Sequence, residues 1–176
     1  MKRALLAVAA LAVVAVALYW FALRDSSTPT ADARPSRPVA QIGEGKTAIV
    51  VGDDGKLLGA ASGKPQHHLV VLKLKQAPKG DRVGGHVLEE VHIVAAAPKP
   101  LRRYLARSGY GETGVDVETT SGIEIRFGDE REATRKWKAA ATVLADPSVS
   151  LLSYVDVSAP TRPVTGGEGH ELPPAS

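Results

Sequence analysis

Three sets of residues have the types and spacings that chemistry could use. The first is AQIGEGKTAIVV, residues 40–51, which satisfies a relaxed phosphate-loop pattern ending in Gly45-Lys46-Thr47. A working loop of that kind needs a strand before it and a helix N-terminus after it, so that backbone N–H groups converge on the phosphates. Here a Pro-rich stretch precedes the string, and β-branched residues running into a turn follow it. The expectation is a bend between two short strands. The second set is the histidines His67, His68, His86, His92 and His170. His86 and His92 are six apart, so on one helix they point about 120° away from each other. Zinc helices use the i, i+4 spacing instead, and adjacent His67 and His68 face opposite ways on a strand. Surface histidines are expected. The third set is the carboxylates Asp116, Glu118, Glu124, Asp129 and Glu130, which fall on alternating strands and a helix start and read as solvated. No serine lies in a G-x-S-x-G elbow. Neither catalysis, a cofactor nor a metal is expected, and the chain reads as a non-enzyme.

The composition agrees. The 176 residues carry a formal charge of +3 with no basic stripe and interleaved aromatics, so nucleic acid is not an expected partner. The absence of cysteine excludes disulfides and thiolate chemistry. Residues 4–23, ALLAVAALAVVAVALYWFAL, are uncharged, and 20 residues as a helix cover the roughly 30 Å hydrocarbon core of a bilayer. Lys2 and Arg3 precede them, whereas Arg24 and Asp25 cancel, which places the N-terminus in the cytoplasm and the remainder outside. A cleaved signal is the competing reading, since Ala15-Val16-Ala17 has a small-x-small form; the apolar run is long for that role. Residues 24–37 are polar and Pro-rich, and read as a linker.

From Pro38 the periodicity changes. Val39, Ile42, residues 48–51 and Leu57-Leu58 flank Gly52-Asp53-Asp54-Gly55, a hairpin signal. Residues 69–74 form a further strand candidate. Val83, Val87, Leu88, Val91 and Val94 recur at helical spacing over residues 82–96, and Pro98 ends that helix. Residues 101–107 suggest another short helix. Residues 115–118 and 123–127 alternate apolar with charged side chains, as strands with one solvated face do. Asp129, three residues before Glu132, is placed as an N-cap. Ala133, Trp137, Ala140, Ala141 and Leu144 then form one stripe with Trp137 as core anchor, and Asp146-Pro147 stops the helix. Residues 151–158 are the last clear strand. A shorter extended piece at 161–165 precedes a tail, 166–176, expected to be disordered. The order predicts an α+β fold: a largely antiparallel sheet with helices packed on one side, behind one transmembrane helix.

The C-terminal third, TSGIEIRFGDEREATRKWKAAATVLADPSVSLLSYVDVSAPTRPV, resembles the end of the bacterial cell-division family FtsQ/DivIB. The matching features are "GI-x-I-RFGD" at 122–129, "KW-x-AA-x-VLAD" at 136–146, "YVDVS" at 154–158 and "P-x-RPV" at 160–164. Upstream, Arg37-Pro38-Val39-Ala40, the hairpin at 51–58 and LVVLKL resemble the start of the family's membrane-distal β domain. The likeness covers about residues 37–165. The family carries a POTRA domain between membrane and β domain, and here only residues 24–37 stand in that place.

The resemblance implies a non-catalytic scaffold of the division septum in the cytoplasmic membrane. Its partners would be FtsB/DivIC-like and FtsL-like proteins, which relay to FtsW/FtsI-type peptidoglycan synthases. It further implies that a partner segment pairs with the last strand, here Tyr154, Asp156, Ser158, Ala159, Thr161, Arg162, Pro163 and Val164. Strand addition needs unpaired backbone groups at an edge, and Pro160 and Pro163 would limit its length. Arg162 offers a rim charge, and Ala159 takes the place where some members carry an aromatic. Val155 and Val157 are expected in the sheet core. The alternatives are an anchored or secreted binding domain unconnected with division and, last, an extracytoplasmic hydrolase.

Overall fold

Two parallel crossovers explain how a sheet this polar on one side acquires a core on the other. The computed structural model describes residues 34–61, 69–74, 78–149 and 151–171. The expected transmembrane segment 4–23 and linker residues 24–33 lie outside these. Among the described residues no helix is long and apolar enough to cross a membrane. Ser36–Ser176 forms a unit of its own.

Nine strands make one sheet in the order β3-β2-β1-β4-β5-β6-β7-β8-β9. They are β1 (Pro38–Ile42), β2 (Ile49–Gly52), β3 (Leu57–Ala60), β4 (Val70–Leu72), β5 (Leu105–Gly111), β6 (Gly114–Thr119), β7 (Glu124–Gly128), β8 (Leu151–Asp156) and β9 (Val164–Glu171). The helices are α1 (His86–Ala96), a four-residue α2 (Lys99–Arg102) and α3 (Ala133–Leu144). Hairpin neighbours pair antiparallel, whereas β1–β4, β4–β5 and β7–β8 are parallel. The connections β4-α1-β5 and β7-α3-β8 run the same way along the sheet. With the usual right-handed crossover, both helices fall on one face. They meet there: the Trp137 indole N–H donates to Ile93 O at 2.7 Å.

Alternation then sorts the side chains. Val115, Val117, Ile125, Phe127 and Val155 are buried on the helix side, with Val157 just after β8. Asp116, Glu118, Glu124, Arg126 and Asp156, out of phase with them, line the open face. Trp137 is fully buried against Phe127, ring centres 4.7 Å apart.

The phosphate-loop-like string forms a three-residue 3-10 turn, Gly45–Thr47, between β1 and β2. No helix follows it, so it offers no phosphate cradle. Several boundaries differ from expectation. The first helix begins at His86, because Val83 is drawn into a bond with Gly55 O at 2.8 Å and Gly84-Gly85 follow. Residues 101–107 are not a helix: α2 ends at Arg102, and Leu105 opens the central strand β5. Asp129 does not cap α3, whose N-cap is Glu132 with no side-chain cap bond. Lys136 draws the Asp129 carboxylate instead, at 2.7 Å. The last clear strand stops at Asp156. Residues 166–171 of the expected disordered tail belong to β9, so the folded domain runs past residue 165 to at least Glu171. Residues 172–176 lie outside the described ones.

Candidate functional site

The residues assigned to partner binding divide between an interior strand, a turn and an edge. Tyr154 and Asp156 are on β8, whose two sides are taken by β7 and β9. Their backbones have no free hydrogen-bonding side, which corrects their expected place on the pairing strand. Ser158, Ala159, Thr161, Arg162 and Pro163 form the connection to β9. Asp156 organises its start, accepting from Ser158 N at 2.9 Å and Ser158 Oγ at 2.7 Å, and Arg162 N donates to Ala159 O at 3.0 Å. Val164 alone of the set lies on the terminal strand, and it is 55% exposed. The edge is therefore Val164–Glu171, seven residues beyond what the motif suggested, 164 included only as its start.

β9 holds this position through glycine. Gly166 lies opposite Tyr154, and a Cβ there would come within 2.6 Å of the Tyr154 hydroxyl. The Tyr154 ring is stacked from its other neighbour by the Arg126 guanidinium, 4.0 Å from its centre. Gly167, at φ +81°, lets the strand step around Ser153, where the register shifts between Leu152 and Tyr154. The bulge bends the strand and leaves the outer side interrupted. Among the described residues no strand pairs with that outer side.

The motif segments before β8 serve the fold. The Lys136 ammonium is buried and donates to Phe127 O at 2.9 Å, Asp129 O at 3.0 Å and Asp129 Oδ1 at 2.7 Å. All three donors are satisfied, and the Asp129 carboxyl is held down to about 2, first by Lys136 and then by Arg131. Lys136 and Trp137 together pin α3 to the end of β7 and to α1.

The other chemical candidates come apart. His92 pairs with Glu130, and His86 stacks on Tyr110 with ring centres 3.9 Å apart. His170 is exposed on β9, and His67 and His68 lie outside the described residues. Among the described residues no group of three or more His, Cys, Asp or Glu is placed to hold a metal. Two carboxyls are unusual, and one of them, Asp116, departs from the expected solvated state. Asp116 is raised to about 6, by burial first, then by Glu124, with Arg126 opposing. Its Oδ1 has no hydrogen-bond partner. Glu90 is 1% exposed and raised to about 7 by burial, with Ser108 opposing. Neither Glu90 Oε2 nor Ser108 Oγ makes a hydrogen bond of normal geometry. The signal for Glu90 was present in the sequence, because it sits three residues after Val87 and four before Val94 on the apolar stripe. Asp116 borders an open concavity of about 590 Å3, lined by Lys73, Arg107, Tyr110, Glu118 and Glu124. Within it Lys73 pairs with Glu118 at 3.2 Å, and Glu124 pairs with Arg126 beside it.

Searches of protein families and of curated proteins return no match. Among solved structures, the chain is similar to the major extracytoplasmic domain of the bacterial cell division protein DivIB from Geobacillus stearothermophilus, in its trans isomer. Identity is 19%, over 52% of this chain and 76% of that one, with a TM-score of 0.36. At this score the likeness adds no weight to a functional assignment.

Proposed function

We propose that the protein is a non-catalytic, single-pass scaffold of the division septum, whose outer domain receives an extended partner segment on β9. The partners are FtsB/DivIC-like and FtsL-like proteins, with FtsW/FtsI-type synthases reached through them. The observation that carries this reading is the terminal strand Val164–Glu171, whose outer side no strand occupies among the described residues. The motif sequence 122–164 supports it, because its members fall in order on β7, α3, β8 and the turn that leads to that edge. Strand addition draws affinity from main-chain bonds and specificity from alternate side chains. Val164, exposed at the start of β9, is the first side chain so placed.

Co-purification of the full chain with FtsB- and FtsL-like proteins tests the assignment. Capture of both, and loss of capture in Val164→Asp with unchanged thermal unfolding, is the expected result. Failure to capture either protein would return the chain to an extracytoplasmic binding domain unconnected with division.

A further inference from the structure

The pairing of β8 fixes which backbone groups of β9 face outward. Val157 N donates to Arg126 O at 2.9 Å, so Val155 and Val157 turn their backbone groups toward β7. Successive residues of a strand alternate in this respect, and Tyr154 and Asp156 therefore turn theirs toward β9. Their partners in register are Gly166 and Val164. Thr165, between those two, is left with both its N–H and its C=O on the outer side of the sheet. Two features keep that outer row short. Pro163, the preceding outward position, has no N–H to donate. After Gly166 the strand bulges, with residues 167–169 standing opposite Ser153 alone. The edge is a single pairing centre, not a long template.

The same register sorts the side chains. Val164 and Gly166 lie on the open face, as do Asp156 and Tyr154 opposite them. Gly166 has no side chain, and the Tyr154 phenol fills the space above it. A Cβ there would stand 2.6 Å from the hydroxyl and 2.7 Å from the carbon that bears it. The Arg126 guanidinium, 4.0 Å from the ring centre, backs the ring from the β7 side. A side chain rooted on an interior strand thus reaches across to the edge strand. Among the described residues its hydroxyl has no hydrogen-bond partner.

We propose that a segment added to β9 is held at Thr165 and recognised by the Tyr154 hydroxyl. The hydroxyl selects a side chain with a hydrogen-bond acceptor, an amide or a carboxylate, at the position beside Gly166. This deepens the strand-addition reading given above and rests on it. An added strand puts alternate side chains on the open face. The one beside Gly166 meets no side chain of β9 and comes directly against the phenol. Covering the hydroxyl removes its water, and a polar group left unpaired on burial is costly. An apolar side chain is therefore disfavoured there and an acceptor favoured. With so few main-chain bonds at Thr165, discrimination falls to this side-chain contact.

Amide exchange and binding on the full-length chain test the inference in two stages. In the free protein Thr165 N–H should exchange faster than those of Val164 and Gly166, which are committed to β8. With an FtsB/DivIC-like protein bound, Thr165 N–H should slow. Tyr154→Phe keeps the ring, the Arg126 contact and the cover over Gly166, so unfolding should be unchanged. Its Kd for the partner should nevertheless rise about 3–10-fold, the loss of one hydrogen bond. Alanine substitutions along the partner should abolish that difference at one position, whose native side chain carries an acceptor. Slowing at Thr165 with an unchanged Kd in Tyr154→Phe, or coupling to an apolar partner residue, overturns the recognition and leaves strand addition standing. A bound partner that does not slow Thr165, or no binding at all, overturns both together.

Discussion

β3 and β9 bound the same sheet but present different edges. β3 has four residues, and residues 81–83 lie along the start of its outer side: Leu57 N donates to Asp81 O at 2.7 Å and Val83 N to Gly55 O at 2.8 Å. β9 has eight residues and, among the described ones, no such cover. Natural sheets blunt edges with short strands, covering segments, bulges and charge. β3 carries the first two devices. β9 keeps a bulge and the charged Glu171, yet leaves its start, Val164 to Gly166, regular and open. The difference teaches that the sequence position of a last strand and the position of a usable edge are separate matters. Tyr154 to Asp156 of the motif lie on an interior strand, and the edge lies one turn further on.

The largest expected effect comes from the brace that the β9 side depends on and β3 does not touch. Trp137→Ala empties a fully buried site and orphans Ile93 O, and should cost about 3–5 kcal/mol in urea unfolding. A loss below about 1 kcal/mol would mean that α3 does not brace β7 and β8.

Glu90 gives the next largest effect and separates stability from the edge. Its folded pKa, about 7, lies above the ordinary carboxyl value of 4.5, so the folded state favours the protonated form. The unfavourable contribution is absent below the unfolded value and grows as pH rises through the window from 4.5 to about 7. Glu90→Gln should stabilise the domain at pH 7 and above by up to about 3 kcal/mol, and do little at pH 4. Asp116, raised to about 6, adds to the same trend, whereas Asp129, lowered to about 2, loses its contribution only as pH falls toward that value. Partner capture at β9 should be unaltered in Glu90→Gln. A flat stability profile in the parent protein would contradict the burial argument.

Gly167→Ala sharpens the comparison at β9 itself. A side chain at φ +81° costs about 1–2 kcal/mol, and its Cβ would meet Ser153 Oγ. The unfolding free energy should fall by that amount, and amide exchange should accelerate at 164–171 while staying constant at β3. The smallest effect is expected from Tyr154→Leu. It removes the Arg126 contact on a partly exposed face, worth about 0.5–1 kcal/mol, and loosens the cover over Gly166.

Much of the fold was legible because local pattern and tertiary position agree. The alternation Val115-Asp116-Val117-Glu118 and Ile123-Glu124-Ile125-Arg126-Phe127 predicts one buried and one open face, and both strands have them. Trp137 reads as a core anchor and is one. β5 was not legible, because LARSGYG turns Ser108 inward and carries two glycines, which mask the period of a central strand. β9 was hidden more deeply. VTGGEGHE has little β-propensity, and its glycines read as a tail. They are required because Tyr154 and Ser153 fill the space where side chains would stand, a tertiary fact with no local signature. Of the residues the motif suggested, Tyr154 and Asp156 lie on the strand inside that edge, and only Val164 lies on the edge itself.

The comparison of edges can be tested directly by crosslinking, since every cysteine would be an introduced one. Thr165→Cys on β9 and Leu58→Cys on β3 are each combined with cysteines placed in turn along an FtsB/DivIC-like partner. Strand addition predicts disulfides from Thr165→Cys to every second partner position over a short run, and none from Leu58→Cys. Crosslinks without that alternation, or equal crosslinking to β3, would contradict the account.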